Sequence, residues 1–209
     1  MLMCLKKTIL MMLVAVLCAC GDGTPKPKSL FNGILDVKGL QIGMSENEVA
    51  GHVKGLKEGK FDRPQSSSYK KLICKTQYTD DPDGCLFTLA NRPVESAEFY
   101  FRSDQLGDML VKFEDKYFET VDVGLTEKFG SPYSEERTPL KNRLTGNESS
   151  NIVKIWASGK GRGLILTNHD RNGDSYLPKG VLQLVDRNFL DAREADSTTR
   201  GGKPDKKDI

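Results

Sequence analysis

The sequence predicts an α+β fold in which short helices pack on one face of an antiparallel sheet. Three observations lead there. The apolar period switches from helical to strand-like, back to helical, and to strand-like again along the chain. Short turn-forming stretches separate neighbouring strand segments, which favours antiparallel pairing. Of the 209 residues, 37% are hydrophobic and 29% charged, a balance that suits a globular chain and excludes a multi-span transporter or a wholly disordered protein.

The first helix starts at Met44-Ser45-Glu46-Asn47-Glu48-Val49. Ser45 can cap the Glu48 amide while Glu48 reaches back, and Met44 and Val49 can pack as a staple. Val49, Val53 and Leu56 then share one helical face, and Gly55 and Gly59 keep the element short. Strands are expected over Lys71 to Tyr78, Cys85 to Ala90, Val94 to Phe101 and Leu106 to Phe113. Ser103-Asp104-Gln105 makes a hairpin of the last two. A second helix runs from about Asp115 to Phe129, with Phe118, Val121, Leu125 and Phe129 on one face and Gly130 and Pro132 as its stop. Pro139 to Ser150 reads as a long polar loop. Ile152 to Ala157, Gly163 to Asn168 and Val181 to Arg187 read as the remaining strands.

The two helix-then-strand units span about 30–113 and 114–190, a spacing that points to an internal duplication. Gly39-Leu40-Gln41-Ile42-Gly43-Met44-Ser45, followed by Glu48-Val49, resembles the G-x-x-x-G-M-[ST] opening of small envelope lipoproteins. Two such groups are the lipoprotein component of the outer-membrane β-barrel assembly machinery (SmpA/OmlA type) and the β-lactamase-inhibitor-like repeat. Lys128-Phe129-Gly130-Ser131-Pro132 is similar to the segment that closes the helical part of such repeats, although no Gly-x-Pro follows the first helix. The resemblance implies a short helical segment ahead of antiparallel sheet, and action by binding, with no catalytic residue to carry over.

The N-terminus has its own pattern. Lys6 and Lys7 precede an uncharged apolar run from Thr8 to Ala19. That run suits a signal-peptide core and is shorter than the roughly 20 residues a spanning helix needs. Leu17-Cys18-Ala19-Cys20 resembles a lipobox, with Cys18 a less usual second residue. By that resemblance residues 1–19 are a lipoprotein signal peptide. Cys20 would carry a thioether-linked diacylglycerol and an N-acyl chain such as palmitate. One chain binds a membrane only marginally, whereas two or three hold it durably. Ordinary secretory cleavage after Ala19 would want a small residue where Leu17 stands. Gly21, not Asp, follows Cys20, which in Gram-negative families leans toward the outer membrane, facing the periplasm. Loss of the signal removes Lys6 and Lys7 and no acids, leaving 29 basic against 29 acidic side chains, a balance that argues against a general nucleic-acid or anionic-lipid binder.

Residues 20–29 form a lipidated tether, and Gly21 to Ser29 spans at most about 30 Å when extended. The globular region is expected over residues 30–190. Residues 191–209, DAREADSTTRGGKPDKKDI, read as a disordered polar tail. Cys74 and Cys85 remain as an even pair in an oxidising compartment, with an Asp/Pro/Gly turn between them. A structural disulfide is expected. The alternative, a redox pair or half a metal site, has neither a C-x-x-C nor a nearby His to support it.

Other constellations resolve toward structure. Asn168-x-Asp170-x-Asn172-Gly173 copies the first half of a calcium loop, but Lys179 stands where the bidentate Glu belongs, so a turn is the simpler reading. Ser158-Gly159-Lys160-Gly161-Arg162-Gly163 lacks the Ser/Thr and the helix of a phosphate loop and reads as a hairpin tip. Asp80, Asp81 and Asp83 form an acidic loop that reads as solvated. His52 is a lone helical histidine read as surface or rim, and Phe99, Tyr100, Phe101 and Trp156 read as core. The chain holds two histidines and no G-x-S-x-G.

The sequence thus predicts a membrane-anchored, non-enzymatic protein-binding or scaffold lipoprotein of the bacterial envelope, without cofactor or metal. Its partners are the membrane, through Cys20, and an envelope protein. A periplasmic inhibitor or immunity-type protein against a hydrolase or toxin is the alternative, and a small-ligand carrier a further one. The binding residues are not legible at this level.

Overall fold

The computed structural model describes residues 30–63, 65–75, 85–141, 148–168 and 179–200. In chain order these form α1 (Glu46–His52), β1 (Lys57–Glu58), β2 (Tyr69–Lys75), β3 (Thr88–Leu89), β4 (Arg92–Pro93), β5 (Ser96–Arg102), β6 (Gln105–Glu114), α2 (Phe118–Phe129), β7 (Ser134–Lys141), β8 (Glu148–Ala157), β9 (Arg162–Thr167), β10 (Lys179–Asp186) and α3 (Arg187–Arg200). Eight strands make one antiparallel sheet in the order β1-β2-β5-β6-β10-β9-β8-β7, and β3 and β4 form a separate small ribbon. The α+β expectation therefore holds at the level of antiparallel sheet with helices, and the sheet dominates.

Local chemistry explains the tight connections. Ser103 and Asp104 both take positive φ, 50° and 61°, as a two-residue turn that matches strand twist requires. Asp104 also accepts the Glu46 amide at 3.0 Å, tying this turn to the start of α1. The Ser158–Gly163 segment is the β8–β9 hairpin tip, with Gly161 at φ 70° and the Ser158 amide donating to the Arg162 carbonyl at 2.9 Å.

Register sets the core. Leu72, Phe99, Met109, Leu184, Leu164 and Trp156 face one another across successive strands, and each is 6% exposed or less. Cys74, Ala97, Val111, Leu182 and Leu166 make a second row on the same face. Helices α1 and α2 belong to this core through Val49 and through Phe118, Val121, Leu125 and Phe129. The capping box forms as expected: Glu48 N–H donates to Ser45 Oγ at 3.3 Å, and Ser45 N–H donates to Glu48 Oε2 at 2.7 Å. The backbone hydrogen bond from the Ser45 amide, with that from its hydroxyl, holds the Glu48 carboxyl below its ordinary range. Gly130 ends α2 at φ 77° with its amide on the Thr126 carbonyl. A 3-10 turn, Asp115–Tyr117, replaces the first part of the expected second helix.

Four expectations need correction. The polar loop read over Pro139 to Ser150 is strand at both ends: β7 runs to Lys141 and β8 begins at Glu148. The signal is weak because SEERTPLK has one large apolar residue, Leu140, and no apolar alternation. It is ordered as an edge strand, by pairing with β8, instead of by burial of its own side chains. The tail read as disordered from residue 191 is helical through Arg200. That helix also means that not all helices lie on one face, because α3 packs on the face opposite α1 and α2. Finally, most of the strand read over Cys85 to Ala90 is irregular, with only Thr88–Leu89 paired.

Candidate functional site

The second face of the sheet carries the chemistry. Its rows follow from the same register: Lys71, Tyr100, Asp108 and Val185 across β2, β5, β6 and β10, and beside them Ile73, Glu98, Leu110, Gln183, Ile165 and Ile155. Helix α3 covers the first row. Phe189 is buried with its ring 5.8 Å from that of Tyr69, and Arg193 lies 4.6 Å from the Tyr100 ring centre. Asp196 accepts the Ser66 amide at 2.8 Å, pinning the helix to the segment before β2.

Beneath α3 sits a buried charged cluster. Lys71 Nζ lies 2.9 Å from Glu98 Oε2, with the lysine side chain 7% exposed. The Tyr100 hydroxyl donates to the same carboxylate oxygen. Arg193 Nη1 lies 3.2 Å from Asp108 Oδ2, and Gln183 Nε2 donates to Asp108 Oδ1 at 2.8 Å. Burial pushes the Glu98 carboxyl up, but the hydrogen bonds from Tyr100 and Lys71 outweigh it and leave it below its ordinary range. Burial, then the bond to Glu98, pushes the Tyr100 phenol far above its usual range. Burial also raises Asp108, against the pull of Gln183 and Arg193. Two cations thus meet two carboxylates, each buried charge with a partner, as a low-dielectric site demands.

A cavity of about 370 Å³ opens between α3 and the chain before β2, lined by Phe61, Arg63, Gln65, Lys71, Tyr100 and Arg193. Its two deepest cations already face carboxylates, so the arrangement works first as a latch that seats α3. Beyond α3, no helix among the described residues packs on the rest of this face. Leu110, Ile165, Ile155 and Val153 are half-buried there, an apolar strip of strand side chains.

The residues singled out from sequence distribute as follows. Cys74 and Cys85 form a disulfide with Cα atoms 5.3 Å apart, inside the core cluster. Phe99, Phe101 and Trp156 are core; Tyr100 points to the opposite face and joins the charged cluster. His52 is exposed at the end of α1. Cys20, the acidic loop at Asp80, Asp81 and Asp83, and all of the calcium-like segment beyond Asn168 lie outside the described residues. Among the described residues no group of His, Cys, Asp or Glu is gathered as a metal ligand set, and no helix is long and apolar enough to cross a membrane.

Sequence reasoning missed Lys71, Glu98, Asp108, Gln183 and Arg193. One signal was available: Asp108 interrupts the apolar run Leu106-Gly107-Asp108-Met109-Leu110-Val111, and a carboxylate inside a central strand needs a partner. That partner, Arg193, sits 85 positions away and could only be supplied by the fold. Comparison of the chain with protein-family models, curated proteins and solved structures finds no match.

Proposed function

We propose that the protein is a lipid-anchored lipoprotein of the bacterial envelope that binds a protein partner and catalyses no reaction. The observation that carries the binding half of this reading is the apolar strip of Leu110, Ile165, Ile155 and Val153. It lies on the sheet face opposite the core, beside α3, whose described residues seat on the neighbouring row through Phe189 and Arg193. Its middle carries the uncharged Gln183 between Leu110 and Ile165, and few charges are found at the centre of a protein interface. The anchoring half rests on Leu17-Cys18-Ala19-Cys20, and in a Gram-negative cell Gly21 after it favours an outer-membrane address facing the periplasm.

The strand order supports the finer reading of the fold. One unit is α1 followed by β1, β2, β5 and β6, and the other is α2 followed by β7, β8, β9 and β10. Each is a helix leading into a meander, and the two meet edge to edge through their last strands, β6 and β10. We read this mirrored order as a duplicated unit.

Two measurements test the proposal. Cys20→Ser should move the protein from the membrane fraction to the soluble fraction, and an unchanged distribution removes the lipid anchor from the reading. Capture of cross-linked partners from the native envelope should return one reproducible protein whose recovery falls with Ile165→Asp. Recovery unaffected by that charge would place binding elsewhere. The identity of the partner separates scaffolding, as with an assembly protein, from inhibition, as with a hydrolase or toxin.

A further inference from the structure

A second apolar feature lies where the tether meets the folded region. A cleft of about 340 Å³ is lined by Leu30, Phe31, Phe129, Pro132, Tyr133 and Trp156. Leu30 and Tyr133 are 44% and 42% exposed. An isolated exposed leucine needs no explanation, but apolar and aromatic groups gathered round one opening form a patch. The floor beneath them is firm. Trp156 is 1% exposed and donates its indole N–H to the Gly130 carbonyl at 2.8 Å. Phe31 packs edge-on against Phe129 at 5.3 Å, and its amide donates to the Ala157 carbonyl at 2.8 Å.

We infer that this cleft is the face the globular region lays on the bilayer interface, with Leu30 and Tyr133 as shallow anchors beside the lipid. The inference rests on the reading of Cys20 as lipidated. Leu30 follows Cys20 by a tether whose residues Gly21 to Ser29 reach at most about 30 Å. Acyl chains on Cys20 therefore hold the bilayer surface at a high effective concentration over the residues that emerge first, and a patch too weak to bind alone is then sufficient. Tyrosine suits this position because its ring is apolar and its hydroxyl wets the headgroup layer. Lys160, exposed on the hairpin tip two residues from Ser158, which bridges to Phe31, adds a cation for headgroup phosphates. The open strip of the sheet remains available to a protein partner in this arrangement.

The chain contains one tryptophan, and Trp156 lines the cleft, so its emission reports on what approaches there. The full lipidated protein would be reconstituted into phosphatidylethanolamine–phosphatidylglycerol vesicles with or without acyl-chain-brominated lipid. Vesicle co-sedimentation is read in parallel. The inference expects co-sedimentation and loss of a large part of the Trp156 emission in brominated vesicles. Leu30→Ser/Tyr133→Ser should co-sediment equally yet recover most of that emission, with an unchanged near-ultraviolet dichroism spectrum showing that it is folded. Wild-type protein that co-sediments with unquenched emission overturns the inference while leaving lipidation intact. That result would assign the cleft to a protein or to the protein's own acyl chain. A variant as strongly quenched as wild type also overturns it. Protein that stays in solution overturns the lipidation reading and this inference together.

Discussion

Gly107 lies directly beneath the ring of Phe189: a Cβ built at Gly107 would stand 1.9 Å from Phe189 Cδ2. This contact joins the centre of the sheet to the helix that closes its second face. Phe189 is buried, and the clash falls on Cδ2 and Cγ near the root of the ring, so a small tip movement does not relieve it. Gly107→Ala should cost about 1–3 kcal/mol through overpacking. The loss should appear in α3, as faster amide hydrogen exchange over residues 187–200, with β2 and β5 protected as before. Uniform loss of protection would mean that α3 and the sheet unfold as one unit.

The charged cluster under α3 makes opposite pH signatures. The Asp108 carboxyl binds its proton more tightly folded than unfolded, so its contribution is full below the unfolded value and is lost as pH rises through the folded one. The Glu98 carboxyl is held low, so its contribution is present above the unfolded value and is lost as pH falls through the folded one. Arg193→Ala leaves a carboxylate that is 2% exposed without its cation. The variant should lose about 3 kcal/mol at neutral pH. The deficit should shrink as pH falls and Asp108 takes up a proton, which thermal melts across the acid range would reveal. A deficit independent of pH would show that Arg193 acts through packing on Tyr100 and Phe189, not through charge.

Glu98→Gln tests the other carboxylate. It removes the group whose stabilisation fails in acid, so the variant should be less stable than wild type at neutral pH. Its stability should also fall less steeply on the acid side, because the remaining titration of Asp108 runs the other way. Urea midpoints at several pH values measure both slopes.

The Cys74–Cys85 bridge sits within the core, with Cys74 fully buried. Closing a loop of this length should contribute about 3 kcal/mol by restricting the unfolded chain. Cys74→Ala/Cys85→Ala should lower the urea midpoint accordingly while leaving the far-ultraviolet spectrum unchanged. Two reactive thiols in the oxidised native protein would contradict the bridge.

Trp156 closes the row that runs from Leu72 across the sheet, and it fastens the end of α2 through Gly130. Trp156→Ala should destabilise by about 3–5 kcal/mol, most of it from the cavity left behind. Trp156→Phe should cost less, since it keeps much of the volume and loses the hydrogen bond. Equal costs would place the energy in the Gly130 contact.

Those elements whose causes are local were legible. The capping box at Ser45 and Glu48, the Ser103-Asp104 turn and the Gly130 stop each depend on residues within a few positions of one another. The alternating and apolar strands were legible as well, because one face of each must be buried, and the paired cysteines followed from spacing. Strand β7 was not, since an edge strand with Pro139 and charges on both sides has no period of its own.

By itself the sequence determined an antiparallel sheet with two core-facing helices, the turn positions and the cysteine pair, because short-range propensity and burial period point the same way at each of them. Only the tertiary structure decided that both halves share one sheet through β6 and β10, and that residues 187–200 form a helix on its second face. The physical reason is that α3 carries few apolar residues. It is ordered by seating Phe189 over Gly107 and Arg193 against Asp108, contacts between residues more than 80 positions apart that no local pattern encodes.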